Sequence, residues 1–531
     1  MPGGRIFRQA LAAVLLGSAT LAALLWTEPD YGYALDEATY RWVAQEARAW
    51  SAAFVKNPLG DSIRPFTIQQ RCHFLEPPGS RPNQPHSNFN LPASIHVLNA
   101  GWAIGGWRAS ELSRLRFGSE LLFALTIGGV VWRLSAREGL LPAAGAAFGI
   151  VLCPRVFGHA HLAATETTLV CFWIWAIIAV VEVVERRGSV AAAAIALGLL
   201  AATKLTAWPA CAMMVAWSAW HAKDRRRRLI FWLVVGAAAV VYVLTPNLWN
   251  EPVSGLRRYL TQAAANPWKI AAYFGGQATT EGMSRWSGAL TLLATTPGTV
   301  WLLAAAALPY ARLDRLAQLL WLNLGLLLAM RIGGLVPAHD GERQFLPVLA
   351  MMGLLAGLQG GRLVRRIARS RPILAALASA VFLLEPAGES WVYRGHGLSY
   401  YSRAVGGLHG AAETFGFEVS YWFEAMTDAE WRRFLEPLPP GSRVFLRPDH
   451  PGWPELVQWG VIPEHVSPAS APEQADYYLL YAKKAAYWVP SGDGKSMVRT
   501  DLADMQHSAP ALYELRFQGV RLASLHQRRV P

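Results

Sequence analysis

The sequence predicts an all-α polytopic membrane bundle of about eleven transmembrane helices, with a small α/β domain at its C-terminal end. Three observations lead there. Of the 531 residues 53% are hydrophobic and only 16% charged, which is not the balance of a soluble enzyme. Apolar runs of roughly the length of a bilayer crossing recur through residue 386. The net charge of +13 is gathered into short islands between those runs: RLSAR at 133–137, ERR at 185–187, KDRRRR at 223–228, RLDR at 312–315 and RLVRRIARSR at 362–371. Basic islands between apolar runs mark loops on the cytoplasmic side of a membrane, so the excess charge needs no nucleic acid as a partner.

Threading the runs with the islands inside gives a path in order. Arg5 and Arg8 precede the first run, at 7–26, read as an uncleaved first span with the N-terminus inside rather than a cleaved signal peptide. A long outer loop at 27–114 follows. Its stretch LPASIHVLNAGWAIGGW, at 91–107, competes as a span, but crossing there would throw every later island outside, so it is read as an interfacial or re-entrant helix. The remaining spans fall at 115–132, 139–157, 167–184, 189–203, 205–220, 229–245, 287–310, 317–335, 345–361 and 372–386. Residues 1–386 form the membrane domain, and 387–531 an outer α/β domain, with SRVFLRPDH and ADYYLLYAKKAAYW as strands and DAEWRRFLEPL as a helix. Cys72, Cys153, Cys171 and Cys211 have neither disulfide nor zinc spacing.

On this path the unusual polar residues collect on the outer face: Asp36 and Glu37, His86, Arg155 with His159, His161 and Glu166, Lys204, Asn247 and Glu251, then His339, Asp340 and Arg343. A transporter is expected to carry ionisable groups at mid-membrane, whereas these span centres are mostly apolar. Adjacent carboxylates point in different directions, so Asp36 and Glu37 do not form an acid–base pair on one bond. One can act as general base while the other holds a backbone amide or an acceptor. The structural alternative is that LDEATYRW opens an interfacial helix with Asp36 as N-cap. In PRVFGHAHLAATETTL, at 154–169, the i, i+2 histidines lack the i, i+4 spacing of helical zinc sites, and a Thr165 N-cap with interfacial histidines is the plain reading. Lys204 between two apolar runs, like Arg331 and Arg343, either snorkels or meets an anionic headgroup. No Gly-rich strand-to-helix phosphate loop is present.

The outer-loop DE, GHAHLAATETTL, TKLTAW, PNLWNEPVSGLRRYL, YFGGQ, TTPGTVWLL, HDGERQFLPVLAMMGLLAG and YYSRAVGGLHGAAETFGFEVSYWFEAM, in that order and on one side, resemble the integral-membrane glycosyltransferases of the GT-C superfamily. The nearest group is the bacterial relatives of dolichyl-phosphate-mannose protein mannosyltransferases and aminoarabinose transferases (family 39-like). The resemblance implies a polyprenyl-phosphate-sugar donor, a protein, lipid or glycan acceptor, and an active site facing the periplasm from the inner (cytoplasmic) membrane. It implies Asp36 as general base beside Glu37, with Lys204, Arg343, Arg155 and His339 on the donor phosphate. Glu166, His161 and His86 fall to acceptor binding or orientation. Relatives carry a His-Pro-Pro or Lys-Pro-Pro stretch late in the first loop; here His86 and Pro92 are separated within PHSNFNLPASIHVL. No cofactor is expected, and a divalent metal is left open. The competing functions are a flippase for lipid-linked sugars and an inactive transferase-like scaffold.

Overall fold

The structure, a computed structural model, describes residues 2–65, 67–68, 72, 90–264, 271–279, 283–336, 341, 343–491 and 497–528. All eleven apolar runs form helix. α1 (Pro2–Thr27) leads into two helices of the first loop, α2 (Leu35–Lys56) and α3 (Ala93–Ile104), and then α4 (Glu111–Glu138). α5 (Leu140–Val151) and α6 (Pro154–Ala160) make one bent element. α7 (Thr165–Val184), α8 (Val190–Ala201), α9 (Trp208–His221) and α10 (Arg226–Leu244) follow. Beyond α11 (Pro252–Ala264) and a hairpin of β1 (Ala272–Phe274) and β2 (Gln277–Thr279) lie a second bent pair, α12 (Ser287–Ala294) and α13 (Gly298–Ala307), and then α14 (Arg315–Ile332), α15 (Leu346–Ala368) and α16 (Pro372–Val392).

The chain is a multi-pass membrane protein. Among the described residues seven helices are long and apolar enough to cross a bilayer, and nine spans result if each bent pair, at 74° and 114°, counts as one. The difference from the eleven expected lies in α8 and α9. With 12 and 14 residues they rise only about 18 and 21 Å, against roughly 30 Å of hydrocarbon. The helix of the first loop, α3, is also 12 residues long and falls short of a crossing.

Ion pairs bring all five basic islands to one end of the bundle. Arg137 lies 2.7 Å from Asp314 and 2.9 Å from Glu185, and Arg362 lies 2.8 Å from Glu138. Arg133 pairs with Glu182, and Arg186 with Asp224. Asp314 also caps α14, accepting the Leu316 N–H at 2.9 Å. This is the basic end; the opposite one is the distal end.

Glycines set how closely the helices cross. α5 and α15 run antiparallel with Gly145 and Gly149 facing Gly357 and Gly353. A Cβ on Gly149 would stand 2.0 Å from the Gly353 carbonyl oxygen, and one on Gly357 1.9 Å from that of Gly145, so the two backbones touch. Replacing Gly353 with Val is expected to destabilise the bundle by about 3 kcal/mol, read as a lowered thermal midpoint of the purified chain.

The C-terminal domain is a five-stranded mixed sheet in the order β4 (Ser467–Pro468), β3 (Arg443–Arg447), β5 (Tyr477–Tyr481), β9 (Val520–Gln527), β8 (Tyr513–Phe517), with a separate hairpin of β6 (Trp488–Pro490) and β7 (Met497–Arg499). β3 runs parallel to β4 and β5, whereas β9 is antiparallel to both of its neighbours. α17 (Asp428–Leu435) is capped by Thr427, whose hydroxyl accepts the Glu430 N–H, and it buries Trp431, Phe434 and Leu435. Between α16 and α17, residues 393–427 thread under the domain. There buried Glu418 accepts the Ala485 N–H at 3.0 Å and also that of Lys484, while burial pushes its carboxyl up to about 7. A carboxyl raised in the fold favours the native state below its unfolded value, and that contribution is lost as pH rises through about 7. Thermal midpoints at pH 5 and pH 8 are expected to differ less in Glu418→Gln than in wild type.

Candidate active site

The distal end joins four side chains from four separate stretches of sequence. Asp36 stands in the first turn of α2, Glu166 in the first turn of α7, Lys204 between α8 and α9, and Arg343 just before α15. Arg343 Nη2 donates to Asp36 Oδ2 at 2.5 Å, and its Nε donates to Glu166 Oε1 at 2.9 Å. Lys204 Nζ reaches the same Glu166 oxygen at 3.4 Å and Gln344 Oε1 at 2.8 Å. Helix N-termini favour both carboxylates, which is why an acidic residue in the first turn of two facing helices is tolerated so near the bilayer.

Exposure separates the four. Asp36 is 36% exposed, against 8% for Arg343 and 1% for Glu166, so Asp36 is the carboxylate of this group that an incoming molecule meets. The Arg343 guanidinium lies over the Trp422 ring at 4.0 Å, which leaves its edges to the carboxylates. Burial holds the Lys204 ammonium below its usual value, opposed by Glu166. Tyr40, one turn along α2 from Asp36, is buried, and burial followed by Glu166 and Asp36 raises its phenol.

Three buried polar atoms around Arg343 have no hydrogen-bond partner among the described residues: Glu166 Oε2, His159 Nδ1 and Trp422 Nε1. His159 meets the Trp422 ring edge-on at 5.3 Å, and its Nε2 lies 2.9 Å from the Tyr421 hydroxyl. Buried polar groups are nearly always satisfied, so such a cluster belongs where a polar ligand or water completes the set. Two cations beside a half-buried carboxylate can hold an anion, and the carboxylate can accept a proton next to it. Among the described residues no three His, Cys, Asp or Glu side chains converge as a metal-binding group.

The other expected site residues are placed differently. Glu37 is fully buried and turned away from solvent. It accepts the N–H of Ala34 at 2.9 Å and of Ala163 at 2.7 Å, and it pairs with Arg116 at 2.6 and 2.8 Å. Glu37 is thus the member of the pair that holds backbone amides, with both carboxylate oxygens engaged by N–H groups and Arg116. The expected N-cap is corrected: the cap position is Ala34, its N–H taken by Glu37, and Asp36 sits inside the first turn. Thr165 likewise is not an N-cap but the first residue of α7, its hydroxyl 3.4 Å from Ser94.

His161 is buried against Tyr31, ring centroids 4.3 Å apart, with Nε2 2.7 Å from the Thr27 hydroxyl and Nδ1 2.9 Å from the Phe157 carbonyl. These contacts hold α1 against α6. Arg155 donates from Nε to the Tyr400 carbonyl at 2.9 Å and covers the Tyr401 ring at 4.8 Å, tying α6 to the segment after α16. His86 and His339 lie outside the described residues.

Sequence reasoning did not find Arg116, Trp422, Tyr40 or Gln344. For Arg116 the signal was present, since an arginine inside an apolar span requires a buried partner. Trp422 reaches the site through tertiary contact alone: the Leu35 N–H donates to its carbonyl at 2.9 Å and the Gly32 N–H to that of Glu424 at 2.8 Å, docking residues 420–424 on the start of α2.

No family model matches the chain, and no curated protein matches it. Among solved structures it is similar to ArnT from Cupriavidus metallidurans. For the apo state the identity is 14%, with 96% of this chain and 97% of that chain covered and a TM-score of 0.47. For the state bound to undecaprenyl phosphate the identity is 13%, with the same coverage and a TM-score of 0.46.

Proposed function

We propose that the chain is a membrane glycosyltransferase of GT-C type. On this reading it transfers a sugar from a polyprenyl-phosphate-linked donor to an acceptor hydroxyl at the distal end, facing the periplasm from the inner membrane. The observation that carries the reading is Arg343 held between half-buried Asp36 and buried Glu166, with Lys204 on the same Glu166 oxygen. The order of the sequence motifs supports it independently.

The chemistry follows from charge. Two carboxylates and two cations balance one another before substrate arrives. A donor phosphate competes with Asp36 for Arg343 and takes a second contact from Lys204, the pairing that guanidinium and ammonium groups favour. Asp36 then stands without its guanidinium beside the acceptor hydroxyl. As the acceptor oxygen bonds to the anomeric carbon, its proton passes to Asp36; the carbon–oxygen bond to the phosphate breaks, and its electron pair leaves with polyprenyl phosphate. Arg343 and Lys204 stabilise the charge that develops on that leaving group. Glu166 keeps both cations in place.

The test is a panel of labelled polyprenyl-phosphate sugars incubated with purified protein and cell-envelope acceptors. Label moving to an acceptor supports the transferase. Donor crossing a vesicle membrane with no glycosidic bond formed points to a flippase instead. Lys204→Met is expected to lower kcat/KM for the active donor by about 10²-fold, the loss typical of one charge-stabilising donor.

A further inference from the structure

α8 and α10 run parallel from the basic end. Their backbones meet at small residues: a Cβ on Gly236 would lie 2.7 Å from Ala194, and one on Gly198 2.9 Å from the Ala237 carbonyl oxygen. Beside that contact lies a cleft of about 580 Å³ whose walls are Val190, Ala191, Ala194 and Ile195 of α8 with Leu229, Trp232 and Gly236 of α10. Arg225 and Arg228 complete the lining at the mouth.

The register explains the shape. Ala194 opposite Gly236 puts Arg228 about four residues, or roughly 6 Å, beyond the first residue of α8. The short helix thus starts above a pair of arginines, at the N-cap and in the first turn of its longer neighbour. The cleft is open to the surroundings of the bundle rather than to its interior: only 11% of the apolar window of α10 is buried, against 83% for α7. Ile195 and Trp232 are each 50% exposed.

Arg225 is fixed in place by Nη2 donating to the Val183 carbonyl at 2.5 Å, while its Nε is buried with no hydrogen-bond partner among the described residues. An apolar cleft lined also by two guanidinium groups is complementary to one chemistry, a chain-bearing phosphate monoester or diester at the bilayer surface.

We propose that this cleft binds an anionic glycerophospholipid of the leaflet at the basic end, an acyl chain lying between α8 and α10 and the headgroup phosphate on Arg225 and Arg228. The site is far in the fold from Asp36, at the opposite end of the bundle, and does not depend on the transferase reading. Bound lipid fills the space left by the short α8 and supplies an acceptor to the buried Arg225 Nε.

The experiment is native mass spectrometry of the purified full chain, delipidated in detergent and titrated with dioleoyl phosphatidylglycerol or dioleoyl phosphatidylcholine. Wild type is expected to bind a first phosphatidylglycerol at least about tenfold more tightly than phosphatidylcholine. Arg225→Gln with Arg228→Gln removes that preference, whereas Arg226→Gln with Arg227→Gln, the same loss of charge outside the cleft, keeps it. Ala191→Trp fills the slot with both arginines present and also abolishes the tight first site; this arm stands even if the arginine variant does not fold. Equal loss in the two arginine pairs, undiminished binding in Ala191→Trp, equal affinity for both lipids, or a co-purifying polypeptide in place of lipid overturns the proposal.

Discussion

Asp36→Asn is expected to lower the transfer rate by about 10² to 10⁴-fold, the range that a positioned general base contributes, without lowering the amount of protein in the membrane. The fold tolerates the change for a specific reason. Asp36 is 36% exposed, and Arg343 retains its bond to Glu166 at 2.9 Å, so no buried charge is stranded when the Asp36 carboxylate is neutralised. Neutralising it also removes a competitor for Arg343, so polyprenyl phosphate is expected to bind the variant at least as tightly as wild type. Loss of rate with binding retained is the signature of a group that acts on the acceptor proton rather than on the donor.

Its neighbour is expected to behave in the opposite way. Glu37→Gln breaks a buried ion pair with Arg116, a residue that also donates to the carbonyls of Tyr31 at 3.0 Å and Gly32 at 2.6 Å. Removing one partner of such a pair costs about 3–5 kcal/mol because the other charge stays buried. The same substitution weakens the acceptor of the Ala34 and Ala163 N–H groups, which link the start of α2 to the turn before α7. Expected outcomes are reduced membrane abundance and a lowered thermal midpoint, with partial recovery of stability when Arg116→Met is added and the stranded cation removed. Two adjacent carboxylates thus give different failures: one of chemistry, the other of folding.

Why the sequence could not divide those roles is a matter of direction. Consecutive helical residues point about 100° apart, so one of Asp36 and Glu37 had to face away from the site, but which one depends on where Arg116 of α4 arrives. Helix existence, by contrast, is written locally in apolar run length, and each of the eleven runs is helical. The sidedness of the basic islands was legible too, and Arg137, Arg362, Asp314 and Glu185 show its cause, since charges gathered at one end find one another there. The convergence of Asp36, Glu166, Lys204 and Arg343 followed from counting crossings.

The two histidines of GHAH are placed differently: His159 lies against Trp422 beside Arg343, whereas His161 meets a hydroxyl and a carbonyl of neighbouring turns. Trp422 carried no local signal at all; it lies 386 residues from Asp36 and reaches Arg343 only because residues 420–424 dock on the first loop. α8 and α9 are short for a crossing, bounded by Ser189 and Ala202 and by Ala207 and Ala222, yet the chain between them carries Lys204 to Glu166 at the distal end while the islands on either side pair at the basic end.

The most direct measurement pairs two readouts on Asp36→Asn and wild type: the dissociation constant for polyprenyl phosphate, and the single-turnover rate of sugar transfer from the active donor. Unchanged or tighter phosphate binding together with a rate reduced by about 10²-fold or more is the expected result. A variant that transfers sugar at the wild-type rate, or that loses phosphate binding in proportion to its rate, would contradict the assignment of Asp36 as the base.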